Sequence, residues 1–226
     1  MKKRIRIQGT IVFLAVILTL LLSKFSLPRW KQESLDELSD ALGIVLVLFG
    51  FLFRIVARGY KEEGSCKGER LLKSGPYALL RNPMYFGTFL IGAGIILVIF
   101  ALWAVVLFLV VFFMIYIPQI EREEKQLYKR FGEEYRNYCK ITPKYFPNIR
   151  YLLNFRNYMP LKFAWIKKEI VSLLAVMVVT LVIEAWEDVT LFGYKEFFKE
   201  PLELFLIIAS FAIIVTLLLK KEPSKE

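Results

Sequence analysis

An arginine stands at the mouth of one long apolar run, and two adjacent carboxylates stand just past the end of the next. Arg81 precedes Asn82-Pro83, and Glu123-Glu124 follow Gln119 by a few residues. Asn82 is a good N-cap and Pro83 a good first helical residue, so a helix is expected to start there. Its free N–H groups, with Arg81 beside them, offer donors to a carboxylate. Each piece also has a plainer account. Asn82-Pro83 can be a cap and nothing more, Arg81 an interfacial residue that snorkels, and Glu123-Glu124 a solvated charge pair. Glu121 and Lys125 are an ordinary i,i+4 pair.

Residues outside these two stretches narrow the chemistry by what they lack. The 226 residues include no histidine, which removes Ser-His-Asp and Cys-His nucleophile systems, HExxH zinc sites and His-ligated haem. The two cysteines, Cys66 and Cys139, form no CxxC, so a zinc ribbon, an iron–sulfur cluster or a disulfide scaffold is not expected. No metal is implied.

The elements that must position Arg81 and the glutamates are membrane helices. Hydrophobic residues make up 57% of the chain and mean hydropathy is +0.50, too apolar for an ordinary soluble domain. Six runs approach the length of a spanning helix: Ile7–Leu22, Ala41–Ala57, Met84–Phe100, Ala101–Ile117, Ile170–Trp186 and Leu202–Leu219. Arg54 weakens the second, and Glu184 ends the fifth. The first lacks a small-x-small cleavage site and reads as a retained helix. Runs three and four meet with almost no linker near Phe100-Ala101-Leu102-Trp103, which predicts a tight helical hairpin with Trp103 at the interface. Gly87, Gly92 and Gly94 predict close packing of helices by small residues.

Charge sets the orientation. The net formal charge is +10. The N-terminus, residues 54–83, residues 119–169 and the C-terminal tail hold 26 of the Lys and Arg residues, against 5 in 23–40 and 184–203. With six spans, both termini and both motif-bearing segments fall on the positive, cytoplasmic side. The basic charge is thus accounted for by topology, and no nucleic-acid partner is expected. In the second segment Ile120, Glu124, Leu127, Phe131, Tyr135 and Tyr138 share one helical face, with Glu123 one residue off it. Residues 141–168 mix aromatics with cations, between prolines, and fit the headgroup zone, either as a passive belt or as a rim for lipid entry.

These segments together resemble the isoprenylcysteine carboxyl methyltransferase family and its phospholipid methyltransferase relatives. The resemblance rests on Gly75-Pro76-Tyr77, Arg81-Asn82-Pro83-Met84-Tyr85-Phe86-Gly87, Glu123-Glu124, Leu127, Phe131-Gly132-Glu133-Glu134-Tyr135, Tyr138 and Pro143 with Pro147, across about residues 68–147. It implies S-adenosylmethionine as methyl donor, bound at the cytoplasmic membrane face. By position it implies cofactor contacts from Glu69, Arg70, Leu71, Leu72, Tyr77, Asn82, Pro83, Met84, Tyr85 and Glu123. Arg81 would stand close to the reacting groups. An amine acceptor would need its proton removed, and Glu124 is then the nearest candidate base. The sequence departs from the family pattern in two places. Asn82 replaces the motif histidine and cannot titrate, and Gln119 is neutral where the prenylcysteine-directed enzymes carry an arginine.

The expected protein is an all-α integral membrane protein of about six transmembrane helices, with a tight hairpin of the third and fourth and a cytoplasmic cofactor-binding region. It reads as one polytopic domain: two helices in 1–57, a methyltransferase-like core in 58–147, and an interfacial segment with two further helices in 148–226. The expected partners are the lipid bilayer and a lipidic or prenylated methyl acceptor, in the manner of protein-S-isoprenylcysteine O-methylation. Alternatives are phospholipid N-methylation, an NADPH-dependent membrane reductase of the steroid-reductase type, and a non-catalytic protein of the same fold. Oligomeric state is left open by the sequence.

Overall fold

A computed structural model describes residues 33–65, 68–99, 102–147 and 158–166. The runs expected at 7–22, 170–186 and 202–219, and the turn at 100–101, lie outside the described residues. Helix α1 spans Glu33–Gly64, α2 is one turn at Pro76–Leu79, α3 spans Pro83–Ile99 and α4 spans Leu102–Ile141. Among the described residues, two helices are long and apolar enough to cross a membrane, Leu38–Gly64 and Val105–Ile141, while α3 is a shorter apolar helix.

Helix α1 runs past the boundary expected at Ala57. At 32 residues it is about 48 Å long, well beyond the roughly 30 Å apolar thickness of a bilayer. Its polar end is stabilised locally. Arg58 pairs with Glu62 at 3.3 Å, Lys61 sits in the last turn where the helix dipole favours a cation, and Ser65 N–H donates to the Lys61 carbonyl at 3.1 Å.

Helix α3 begins where the sequence predicts. Pro83 is fully buried at its start, and the Asn82 carbonyl accepts the N–H groups of Tyr85 and Phe86 at 3.1 Å each. One face of α3 lies along α1. A Cβ on Gly94 would meet the Gly43 carbonyl at 2.4 Å, and one on Gly87 would meet the Gly50 carbonyl at 2.6 Å. The pairs 43/94 and 50/87 run in opposite sequence directions, so the helices are antiparallel and their backbones touch. Ile44, Val47, Leu48 and Phe51 close this seam against Ile91.

The other face of α3 meets α4 through aromatic rings. Phe89 lies 5.2 Å from Phe112 and Tyr85 lies 5.4 Å from Tyr116, and Gly92 faces Phe108. The expected hairpin pair therefore does touch, but α1 is the closer-packed partner of α3. The outer face of α4 is apolar and open, with Met114 70% and Val106 61% exposed, as a lipid-facing surface would be.

Part of the aromatic stretch expected in the headgroup zone belongs to the core. Met159, Leu161 and Trp165 are buried with Leu52, Phe53, Val56, Leu79 and Leu80. The Trp165 indole N–H donates to Glu63 at 2.6 Å, and Lys162 pairs with the same carboxylate. Phe163, by contrast, is exposed.

Candidate functional site

Residues from the two motif-bearing segments meet at the α3 N-terminus. The Tyr85 hydroxyl donates to Glu123 Oε1 at 2.8 Å, and the Gln119 amide donates to the same oxygen at 3.0 Å. One helical turn separates Gln119 from Glu123, and the start of α3 lies opposite both. Glu123 is thus held by donors from two helices.

A second cluster sits beside the first. Arg81 Nη1 is 3.1 Å from Glu124 Oε1, and Lys144 Nζ is 3.1 Å from Glu124 Oε2. Arg81 Nη1 also donates to Cys139 Sγ at 2.9 Å. Three buried polar atoms here make no hydrogen bond: Arg81 Nε, Glu124 Oε1 and Tyr135 Oη. The Arg81–Glu124 contact is therefore ionic and off the hydrogen-bond axis. Burial opposes charge on Arg81, but the neighbouring Glu124 and Cys139 outweigh it and hold the guanidinium above its ordinary value. For Lys144 burial likewise opposes charge, and the bond to Glu124 outweighs it, so the ammonium is held above its ordinary value.

The strap 142–147 after α4 closes this corner. The Arg81 N–H donates to the Pro143 carbonyl at 2.9 Å, and the Asn82 side-chain amide donates to the Lys144 carbonyl at 3.3 Å. Asn82 therefore supplies a tether as well as the start of α3. Phe146 turns back over α3 and sits edge-on to Phe86 and Phe89.

Between strap, α3 and α4 lies a shallow, open cleft. Phe86, Phe89, Phe112, Phe113 and Phe146 form its wall, and although Asn82, Tyr85 and Lys144 border it, its surface is almost wholly apolar. Arg81, Glu123 and Glu124 do not line it; Tyr85 and Lys144 stand between them and the cleft. Met84 is half-buried nearby, and its carbonyl accepts the Thr88 hydroxyl at 3.0 Å.

The remaining positions expected to hold cofactor lie on the flank. Glu69 and Arg70 are exposed. Leu71 is buried against Tyr135 and Tyr138, and Leu72 packs toward Gly64. Lys73 and Glu134 clamp this loop to α4 at 2.6 Å. Tyr77 donates to the Ala57 carbonyl at 3.3 Å, while its own carbonyl accepts the Tyr138 hydroxyl at 2.6 Å. Burial, then Tyr138 and Glu123, push the Tyr77 phenol well above its ordinary value, so it remains a donor.

Residues 38–134 match the family model of phospholipid methyltransferase. The match overlaps the motif-bearing stretch, stops short of Tyr135, Tyr138, Pro143 and Pro147, and extends N-terminally to take in most of α1. No curated protein and no solved structure matches the chain. Taken with this match, the two membrane-length helices among the described residues mark an integral membrane protein.

Sequence reasoning missed Lys144, Cys139 and the ring wall from Phe89, Phe112 and Phe113. Lys144 lies three residues before the motif's last proline, Pro147, and beyond the matched segment. Its one readable signal was a cation in a proline-bounded loop. The rings read simply as apolar helix content.

Proposed function

We propose that the protein is a membrane-embedded S-adenosylmethionine-dependent methyltransferase whose acceptor is lipidic, with a phospholipid-type headgroup as the preferred reading. The observation that carries it is the joining of Tyr85 to Glu123 and of Arg81 to Glu124 beside a cleft walled by rings, within a segment matching phospholipid methyltransferase. The donor set fits the cofactor chemically. Arg81 Nε and Glu124 Oε1 are buried polar atoms without a hydrogen bond, and the two glutamates supply negative charge suited to a cationic sulfonium and an ammonium.

When bound, S-adenosylmethionine supplies a methyl group already activated on sulfur. The residues of this chain then need to align, orient and keep water out. Tyr85 and Gln119 fix Glu123. Arg81 and Asn82 present donors at the N-terminus of α3. The phenylalanines offer an apolar bed for an acyl or prenyl chain entering sideways from the bilayer. The cytoplasmic placement of this corner, with six spans in all, rests on the positive-inside distribution of Lys and Arg.

Carboxyl methylation of a prenylated acceptor is the second reading. Arg81 and Lys144 favour it as cations able to orient a carboxylate, and neutral Gln119, which donates to Glu123, weighs against it. Membranes holding the purified protein, incubated with isotopically labelled methyl donor and then extracted, distinguish the two. Label in aminophospholipid supports the first reading, and label in a base-labile ester supports the second. No labelled lipid, together with no calorimetric binding of S-adenosylmethionine, overturns both.

A further inference from the structure

The strap 142–147 carries rings that the protein leaves half open. Phe146 is 60% exposed, although its ring stands edge-on to Phe86 at 6.4 Å and to Phe89 at 6.5 Å. Those partners lie in the first two turns of α3, and Phe89 also meets Phe112 and Phe113 of α4. Phe146 therefore sits level with the apolar run of α4, although it belongs to a loop. Phe113 and Phe146 border the same cleft, and from Phe113 the exposed apolar surface of α4 continues to Met114 and Val110. The open face of Phe146 is continuous with that surface. Beside it Tyr145 is exposed, and Ile141 is 73% exposed.

The backbone of the strap is prepared for the same surroundings. Non-helical chain can leave water only where its polar groups find partners. Pro143 and Pro147 have no N–H to satisfy. The Pro143 carbonyl accepts from the Arg81 N–H, and the Lys144 carbonyl accepts from the Asn82 amide. The Thr142 N–H donates to the Tyr138 carbonyl at 3.0 Å. Cations flank the rings, as anionic phosphates would require. Lys140 is exposed in the last turn of α4, and the Lys144 ammonium lies 5.1 Å from the centre of the Tyr145 ring. Rings with cations beside them are the composition of an interfacial anchor. The segment 158–166 has similar residues, but Met159, Leu161 and Trp165 are spent on the core.

We propose that the strap 142–147 is a lipid-contacting rim, with the open faces of Tyr145 and Phe146 seated among phospholipid acyl chains of the adjacent leaflet. Because Phe146 also lines the cleft, a chain held there lies at the cleft's open side. The rim goes beyond the methyltransferase reading and does not depend on it.

The test is photocrosslinking of the full-length protein in vesicles of phosphatidylethanolamine and phosphatidylglycerol with a tagged acyl chain, and with no methyl donor present. Phe146, Tyr145, Met114 or Tyr128 is replaced, one at a time, by p-benzoylphenylalanine, which bonds to C–H groups within its reach on illumination. Met114 is the reference for acyl contact, and Tyr128, 50% exposed on α4 beyond its apolar run, is the reference for water. The Phe146 position is expected to capture tagged lipid within about threefold of Met114 and about tenfold above Tyr128.

Capture at Phe146 no greater than at Tyr128 would overturn the proposal. So would adducts at Phe146 with another part of this chain or with a second copy in place of lipid. If the Phe146 variant does not fold, the Tyr145 variant decides by the same criteria. A wild type that transfers no methyl group while the Phe146 position captures lipid removes the methyltransferase reading and leaves the rim. An active wild type without lipid capture at Phe146 removes the rim alone.

Discussion

The two faces of α3 are built for opposite purposes. Toward α1 the helix presents glycines, and backbone meets backbone at Gly87–Gly50 and Gly94–Gly43. Toward α4 it presents Tyr85 and Phe89, whose rings stand the helices apart and leave a cleft between them. Where glycine backbone meets backbone no side chain can yield to a shift, whereas a seam of rings can open by small rotations. The contrast makes α1 and α3 the fixed frame and puts the cleft on the side where α3 faces α4.

The largest expected effect tests the fixed face. Gly94→Val places a branched side chain where even a Cβ would lie 2.4 Å from a carbonyl oxygen. Backbone cannot yield as a flexible side chain does. The expected cost is more than about 3 kcal/mol, at the upper end for overpacking, seen as loss of a folded, monodisperse species in detergent. Near-wild-type thermal stability for this variant would mean the seam is loose, and the contrast between the faces would fail.

The next effect tests the charged corner behind the cleft. Glu124→Ala leaves Arg81 and Lys144 facing each other without the carboxylate that compensates them. Removing one partner of a buried charge cluster costs about 3 kcal/mol at the lower end of the usual range, which suits side chains that retain 16% to 22% exposure. Glu124→Gln should cost less, since it keeps the shape and an acceptor oxygen. A thermal shift ordering Glu124→Ala below Glu124→Gln below wild type is the expected result.

These two faces were not equally legible in the sequence. Gly87 and Gly94 could be read as packing glycines because they lie seven residues apart in an apolar run. Their partners Gly43 and Gly50 have the same spacing, but that coincidence acquires meaning only once the helices are paired antiparallel. The shared face of Ile120, Tyr135 and Tyr138 was legible from periodicity, and all three are buried. The end of α1 was not, because Arg54 looked like a boundary. In the structure Arg54 donates to Thr88 of α3 at 3.4 Å, and the helix continues on its own i,i+4 charges. Of the site, the motif residues of α3 and α4 were legible because their order survives in sequence. Lys144 was not, because its pairing with Glu124 depends on the strap folding back on α4, and a linear pattern contains no such information.

A third, smaller effect separates the two glutamates. Tyr85→Phe keeps the ring against Tyr116 and removes only the hydroxyl bonded to Glu123. A hydrogen bond to a charged group contributes about 1.5 to 3 kcal/mol, and the retained Gln119 bond puts the expected loss at the lower figure. If Glu123 also contacts the cofactor, calorimetric affinity for S-adenosylmethionine falls by roughly tenfold, the equivalent of about 1.4 kcal/mol. A Tyr85→Phe protein with unchanged stability would show that Glu123 is held by α4 alone, and the bridge from α3 would lose its importance.

The smallest effect concerns the bend that brings the far end of α4 back to the site. Gly132 has φ 51 and ψ −123 inside an otherwise helical run, and a Cβ there would touch nothing. Any cost of Gly132→Ala is therefore conformational. Backbone in so sparsely populated a region costs an alanine about 2 kcal/mol, while alanine favours helix over glycine by about 1 kcal/mol. The two terms oppose each other, and the net loss should be about 1 kcal/mol. The sign of the structural change is more informative than its size. A straightened α4 would carry Tyr138 away from the Tyr77 carbonyl, now 2.6 Å distant, and Cys139 away from Arg81. Adding Tyr138→Phe to Gly132→Ala then costs little more, because the bond it removes has already gone. Additive losses in the double variant would mean that the tertiary contacts of Tyr135 and Tyr138, and not the glycine, hold the bend.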